Sequence, residues 1–246
     1  MNLSDLQATW EALGETDPLW AILSDPDKKG RRWTNAEFFA TGIREIQALM
    51  NELRAPGRAL GSRAALDFGC GIGRLTQPLT KHFDEVVGVD LSNEMVRLAQ
   101  AHNRAPDRCR YAVNASADLA ILPSDSFDLV LSYLTLQHMP RRYSMSYLRE
   151  FVRVTRAGGI ICVQLPAAPA TPSDALRAAI SNAMNSTRAL LARWGIGTGA
   201  KMAMYGVSRL TVRDVLREAG ARLEEVIPAD HFTLGWSGYR YIAIKT

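Results

Sequence analysis

The sequence predicts an α/β fold organised as a doubly wound parallel sheet, on two observations. From Ala64 onward, short apolar runs alternate with helical periodicities, the rhythm of successive βαβ units. At the head of that stretch lies Asp67-Phe68-Gly69-Cys70-Gly71-Ile72-Gly73-Arg74, preceded by Ala64-Ala65-Leu66 and followed by a second apolar run, Val86-Val87-Gly88-Val89, that ends in Asp90. Strand, glycine turn, helix, strand, acid is a half-fold suited to gripping a nucleotide.

The elements follow in order. Leu3, Leu6, Trp10 and Leu13 recur at helical spacing, and Gly14 is placed to end that helix. Asp17-Pro18-Leu19-Trp20 reads as a turn into a short segment. Thr34 and Glu37 form a capping box for a helix carrying Phe38, Ile43, Ile46, Leu49 and Leu53, stopped by Ala55-Pro56-Gly57. Residues 1–57 are therefore a helical N-terminal extension or lid, and 58–246 the core. The glycine turn opens a helix through Leu75 and Leu79. Ser92 caps the next, with Met95, Leu98 and Ala99 inward. Arg110–Val113 and Ser126–Tyr133 are the third and fourth strands. A helix with Tyr147, Leu148, Phe151 and Val152 closes at Gly158-Gly159, before a fifth strand over Ile160–Leu165. The region 167–208 breaks the alternation: a proline-rich opening, an alanine-rich helix over 174–194, then glycines at 195–199. It reads as a helical insertion after the fifth strand, a cap on the core. Thr211 and Asp214 cap one more helix, ended by Gly220. Arg222–Ile227 and Tyr239–Lys245 complete the strands.

Composition narrows the class. Hydrophobic residues make up 47% and charged residues 22%, the balance of a soluble globule, and no apolar run reaches the length of a membrane span. Met1-Asn2-Leu3-Ser4-Asp5 lacks the basic and apolar parts of a signal peptide, so a cytoplasmic location is expected. Cys70, Cys109 and Cys162 are odd in number and far apart, which predicts neither a disulfide framework nor a metal site. A net charge of +4 is small for this length, and its one cluster, Lys28-Lys29-Gly30-Arg31-Arg32, reads as a solvated loop. No nucleic-acid partner and no membrane partner are expected.

The turn itself selects the ligand. Glycines at alternate positions let backbone approach a ligand where a Cβ would collide. Dinucleotide binding wants a third glycine where this chain has Arg74. The pattern is instead G-x-G-x-G, preceded by Asp67, an acid able to reach a cationic tail. Asp90, at the end of the second strand, can accept hydrogen bonds from two ribose hydroxyls. A ligand with a ribose and an ammonium group, and no pyrophosphate, suits this set.

Leu66 to Gly73 resemble motif I of class I S-adenosylmethionine (SAM)-dependent methyltransferases, usually written (V/L)-D-x-G-C-G-x-G, and Val86 to Asp90 with Leu91-Ser92 resemble that family's second strand and ribose-binding acid. Ser126-Phe127-Asp128-Leu129-Val130 resembles its S-F-D-x-V strand. Arg153 to Gly159 resemble its R-V-L-K-P-G-G turn, with Ala157 in place of proline. The resemblance covers 64–166 by motif and 209–245 by pattern. It implies a Rossmann-like, seven-stranded sheet whose last strand is antiparallel. It also implies an enzyme that binds SAM, releases S-adenosylhomocysteine, and needs no metal.

The same resemblance implies a donor site of Asp67, Gly69, Cys70, Gly71, Gly73, Asp90 and Leu91. Asn114-Ala115-Ser116-Ala117-Asp118-Leu119 takes the place of the family's adenine-binding segment, with Asp118 and Asn114 as competing contacts and Leu119 beside them. Ser132 and Tyr133, in a segment running on to Met139, should line the methionine end, because parallel sheets bind ligands at the carboxyl ends of their strands. Methyl transfer to a hydroxyl needs a base. His138, in Leu136-Gln137-His138, is the candidate, with His231 as an alternative. Trp20, Gln137 and Tyr205 are candidate substrate contacts; Trp10, Trp33 and Phe39 are placed to line a pocket mouth, while Phe38 reads as core. The expected activity is methylation of oxygen or nitrogen on a small molecule of secondary-metabolite or sugar-like character. A non-catalytic SAM-binding subunit and a macromolecular methyltransferase are the alternatives.

Overall fold

The computed structural model describes residues 1–54, 58–169, 202–229 and 236–246, with isolated positions 173, 176, 179, 180 and 184. Helices α1 (Leu3–Thr16), α2 (Pro18–Ile22) and α3 (Asn35–Leu53) come first. Reciprocal side-chain to backbone bonds cap α1 through Asn2 and Asp5, and α3 through Thr34 and Glu37. Helix α1 passes through Gly14 instead of ending there. It stops at Thr16 because Asp17, before Pro18, takes an extended φ of −154°. On α3, Phe38, Ile46, Leu49 and Leu53 are buried as expected, while Ile43 faces solvent and Gly42 and Met50 face inward.

Strands β1 (Ala64–Phe68), β2 (Glu85–Asp90), β3 (Cys109–Val113), β4 (Phe127–Ser132), β5 (Thr155–Pro169), β6 (Ala221–Ala229) and β7 (Trp236–Lys245) form one sheet in the order β3-β2-β1-β4-β5-β7-β6. The pairings among β1 to β5 are parallel, and β7 runs antiparallel to both β5 and β6. The order turns back between β1 and β4, and the two strands there run to the same edge.

Between the strands lie α4 (Thr76–Leu79), α5 (Asn93–Ala101), α6 (Arg141–Val154) and α7 (Arg209–Glu218). Further boundaries differ from expectation. The helix after the glycine turn starts only at Thr76 and is four residues long, because residues 71–75 remain in turns. Helix α6 ends at Val154, not at the glycines. Thr155 already pairs with Phe127, its hydroxyl donating back to Phe151 O, so β5 begins well before Ile160. Helix α7 is capped by Ser208, whose side chain accepts from Thr211 N.

Strand alternation distributes the core over two faces. Leu66, Val130, Ile161 and Val163 pack with Tyr147, Leu148 and Phe151 of α6 and with Val212 and Leu216 of α7. Ala65, Leu129, Leu131 and Cys162 face Ile46, Leu49, Met50 and Leu53 of α3. The short α4 leaves that second face open, and α3 of the N-terminal extension covers it. Cys70, Cys109 and Cys162 are buried free thiols. The predicted helix at 174–194 falls outside the described residues apart from the isolated positions. The segment before α7 is tied to β5 where Val207 N donates to Pro166 O at 2.8 Å. Among the described residues, no helix is long and apolar enough to cross a membrane.

Candidate active site

β1 delivers the chain to the glycine turn at the carboxyl edge of the sheet. Gly69 N and Cys70 N both donate to Val89 O, at 2.7 and 3.1 Å, so the turn hangs from the end of β2. Asp90 completes the hold, accepting from Gly71 N at 2.8 Å and Ser92 N at 2.9 Å. Gly69 and Gly71 lie at φ +76° and +53°, and a Cβ on Gly71 would come within 2.6 Å of Ile22 Cδ1. Both positions need glycine, for conformation and for room. Burial raises the Asp90 carboxyl above its ordinary range, against the lowering effect of these amide bonds.

Above this turn is a cleft. Its floor is Gly69, Gly71 and Asp90. Leu91, Met95, Asn114 and Tyr147 line one side, and Tyr133, Leu134, Thr135 and Met139, from the segment after β4, line the other. Trp10, Ala21 and Ile22 of the N-terminal helices complete the walls, with Phe68 at the end of β1. Leu134 holds φ +56°, a left-handed conformation that costs a branched residue roughly 1–2 kcal/mol. Strain of that kind collects at functional sites.

Of the expected donor residues, Gly69, Gly71, Asp90, Leu91, Asn114 and Tyr133 line this cleft. The others lie around it. Asp67 is buried beneath the turn and accepts from Thr76 Oγ1 at 2.6 Å. Burial pushes its carboxyl up to about 6, with Thr76 and Arg74 pulling the other way. Cys70 packs with Val96, Cys109 and Tyr111. Gly73 faces the Tyr111 ring. Leu119 is in the core, and Ser132 is fully buried. Asn114 sends its side-chain amide to Asp118 O at 2.8 Å and towards Tyr147 Oη at 3.3 Å, while Tyr147 also donates to Ser116 O. Asp118 is exposed, its carboxylate occupied by Ser116 Oγ and Ala120 N. Of the two competing adenine contacts, Asn114 borders the cleft and Asp118 does not.

His138 lies outside the lining. Its Nδ1 meets Ala203 O at 2.9 Å and its Nε2 meets Gln137 Nε2 at 3.1 Å, a pattern satisfied by the neutral ring protonated on Nδ1. Burial pushes its pKa down to about 4, against the raising effect of the Ala203 carbonyl. Trp10 meets the ring edge-on, at 5.4 Å between centroids. Gln137 is buried beside it, and its carbonyl accepts from Tyr205 N at 2.7 Å. Trp20 points elsewhere: its indole donates to Asp25 O at 2.9 Å and Lys29 sits over its ring. His231 lies outside the described residues.

Reading the sequence as helix faces missed Met95 and Tyr147, because each shares a periodic face with core residues, and the short segment after Pro18 gave no signal for Ala21 and Ile22. Trp10 was expected only as one of several aromatics at a pocket mouth. Leu134, Thr135 and Met139 were signalled by their place in the segment after β4.

Comparison with known proteins agrees with this fold. Residues 66–163 match the family described as methyltransferase domain. Ubiquinone biosynthesis O-methyltransferase of Xanthomonas campestris is 27% identical over 131 residues, 53% of this chain and 54% of that protein. The enzyme of the same name from Hahella chejuensis is 29% identical over 128 residues, 52% and 53% of the two chains. The chain thus aligns with about half the length of these curated relatives. Among solved structures, magnesium protoporphyrin IX methyltransferase from Synechocystis with bound S-adenosylhomocysteine superposes with a TM-score of 0.64 at 17% identity, covering 99% of both chains. A SAM-dependent methyltransferase from Mesorhizobium loti gives 0.58 at 21% identity, over 80% of this chain and 98% of its own. The chain thus shares the fold and sheet order of solved methyltransferases, and its residues 66–163 match a methyltransferase domain.

Proposed function

We propose that this chain transfers a methyl group from SAM to an oxygen or nitrogen of a small-molecule acceptor. The observation that carries the reading is the Asp90-to-Gly71 bond, which sets the ribose-binding acid against the glycine turn on the floor of the cleft. The residues present fit the donor. Asp90 spends one acceptor site of each oxygen on Gly71 and Ser92, and a carboxylate has about four such sites, so capacity remains for ribose hydroxyls. Asn114 offers a carbonyl oxygen at the far end, and Leu91 and Met95 are apolar walls for a base.

Bound there, SAM supplies a methyl group on a cationic sulfur that leaves as a neutral thioether. The chain's part is to place the acceptor near attack distance and to keep water away, since dispersing positive charge is easier in a desolvated site. Trp10, Ile22, Leu134 and Met139 form such an apolar enclosure. We place helices α1 to α3 as the lid. Because both ring nitrogens of His138 are engaged within the fold, we assign it the task of holding the turn after β4. The resemblance to O-methyltransferases favours oxygen as the methylated atom.

Isothermal titration of the chain with SAM, S-adenosylhomocysteine and NAD tests the donor assignment. Heat is expected with the two sulfur ligands and none with NAD. A folded sample that binds neither sulfur ligand would overturn it.

A further inference from the structure

We propose that α1 is a bar across the donor cleft and that Glu11, which latches it, is a positioning residue for the donor. The proposal rests on the donor assignment above and names a residue outside the cleft lining.

Glu11 receives four hydrogen bonds, all at 2.8 Å. Ser92 Oγ and Glu94 N donate to Oε2, and Asn93 N and Nδ2 donate to Oε1. Two of these donors are backbone N–H groups in the first turn of α5, which have no partner within their own helix. A carboxylate from more than eighty residues upstream therefore completes the start of α5, beside the Ser92 cap that serves Met95 N. Gly14, one turn further along α1, keeps that seat close: a Cβ there would stand 3.0 Å from Glu94 Cγ.

The latch reaches the cleft through one residue. Ser92 donates its hydroxyl to Glu11 and its backbone N–H to Asp90, and Asp90 in turn holds Gly71. Moving Glu11 thus moves the loop that presents Asp90.

Trp10 carries the other end of the bar. Neighbours on a helix point about 100° apart, and Trp10 reaches the opposite rim. Its ring lines the cleft and meets His138, which is tied to Ala203 of the segment leading out of the insertion. Helix α1 spans from the β2–α5 wall to the turn after β4, with α2 beside it supplying Ala21 and Ile22. A donor passing that opening needs α1 to lift, and lifting it releases the four Glu11 bonds.

Stopped-flow binding of S-adenosylhomocysteine to the whole chain tests this with Glu11→Ala and Glu11→Gln. Glu11→Ala is expected to speed release by about tenfold, the equivalent of one charge-assisted bond, and to speed association as well. Association is the informative half, since a variant that is merely less stable would not bind faster. Glu11→Gln, which keeps one acceptor oxygen, should fall between. Amide exchange should accelerate in residues 3–16 of Glu11→Ala and stay unchanged in β4. Rate constants equal to wild type, or a lower melting temperature with unchanged association, would overturn the latch. If wild type takes up no S-adenosylhomocysteine, the donor assignment fails, and exchange in α1 of the free chain still decides the latch. Equal protection in wild type and Glu11→Ala would sink it.

Discussion

Gly42→Ala tests whether the N-terminal extension is part of the fold or an appendage to it. Gly42 is mid-helix in α3, where alanine ordinarily gains about 1 kcal/mol. Here a Cβ would fall 2.9 Å from both the carbonyl carbon and Cγ of Arg74, and nearer still to its carbonyl oxygen. The obstacle is backbone, so no rotamer relieves it, and the helix and the turn must part by on the order of 1 Å to regain van der Waals contact. Arg74 is pinned on the other side by its ion pair with Glu45 at 2.6 Å, also from α3. Overpacking of this kind costs about 3 kcal/mol at the upper end of its usual range. Subtracting the helix gain leaves a net loss of about 2 kcal/mol, or a melting temperature lower by roughly 4–8 °C for a domain of this size. Calorimetry of wild type and variant reads it directly. Because Arg74 follows Gly73 of the glycine turn, affinity for S-adenosylhomocysteine should fall as well. A variant that melts at or above wild type would show that α3 does not seat against the turn, and the argument from contact would be wrong.

Four further outcomes are expected. Asp90→Ala strands the N–H groups of Gly71 and Ser92 and removes the ribose acceptor, so SAM binding by titration should weaken by roughly 1–3 kcal/mol; an unchanged dissociation constant refutes its role. Gly69→Ala meets both a φ of +76° and the Thr135 side chain, and should abolish measurable binding while Gly158→Ala, which meets no neighbour despite a similar φ, keeps it. His138 titrates near 4 when folded and near 6.5 when unfolded, so the unfolded chain takes up the proton first and stability falls between pH 6.5 and 4, by about 3 kcal/mol at most. Asp67 opposes this: its folded pKa of about 6 exceeds the ordinary 3.8, so acidification from 6 towards 4 relieves a burial penalty. Asp67→Asn removes that relief, and its melting temperature should drop more steeply than wild type's across the window; parallel curves would count against the assignment.

The donor end of this protein was legible because its chemistry is local. A tight turn that brings backbone to a ligand demands glycine at fixed offsets, and a strand that ends at the cleft places its last residue, Asp90, there without help from distant parts. Strand periodicity likewise marked the sheet, and capping boxes marked α1 and α3. Boundaries that depend on a partner were missed: β5 starts early because Thr155 finds Phe127, and α1 continues through Gly14 because that glycine seats against α5. The rest of the site is made by residues whose one-dimensional signal is that of core. Trp10, Met95 and Tyr147 look like inward faces of helices, and they are; only packing decides that inward means the cleft. His138 shows the converse: histidine chemistry read from sequence pointed to a base, whereas its ring is buried against Trp10 with Nδ1 on Ala203 O, which is why we propose a bracing role for it. By itself the sequence determined the fold and the glycine turn with Asp90 at the neighbouring strand end, because backbone geometry and strand ends obey short-range rules. Tertiary structure alone decided what encloses the glycine turn, because the enclosing side chains come from α1 and α2 upstream, from α5 and α6 downstream and from a turn beyond β4, joined only by contact.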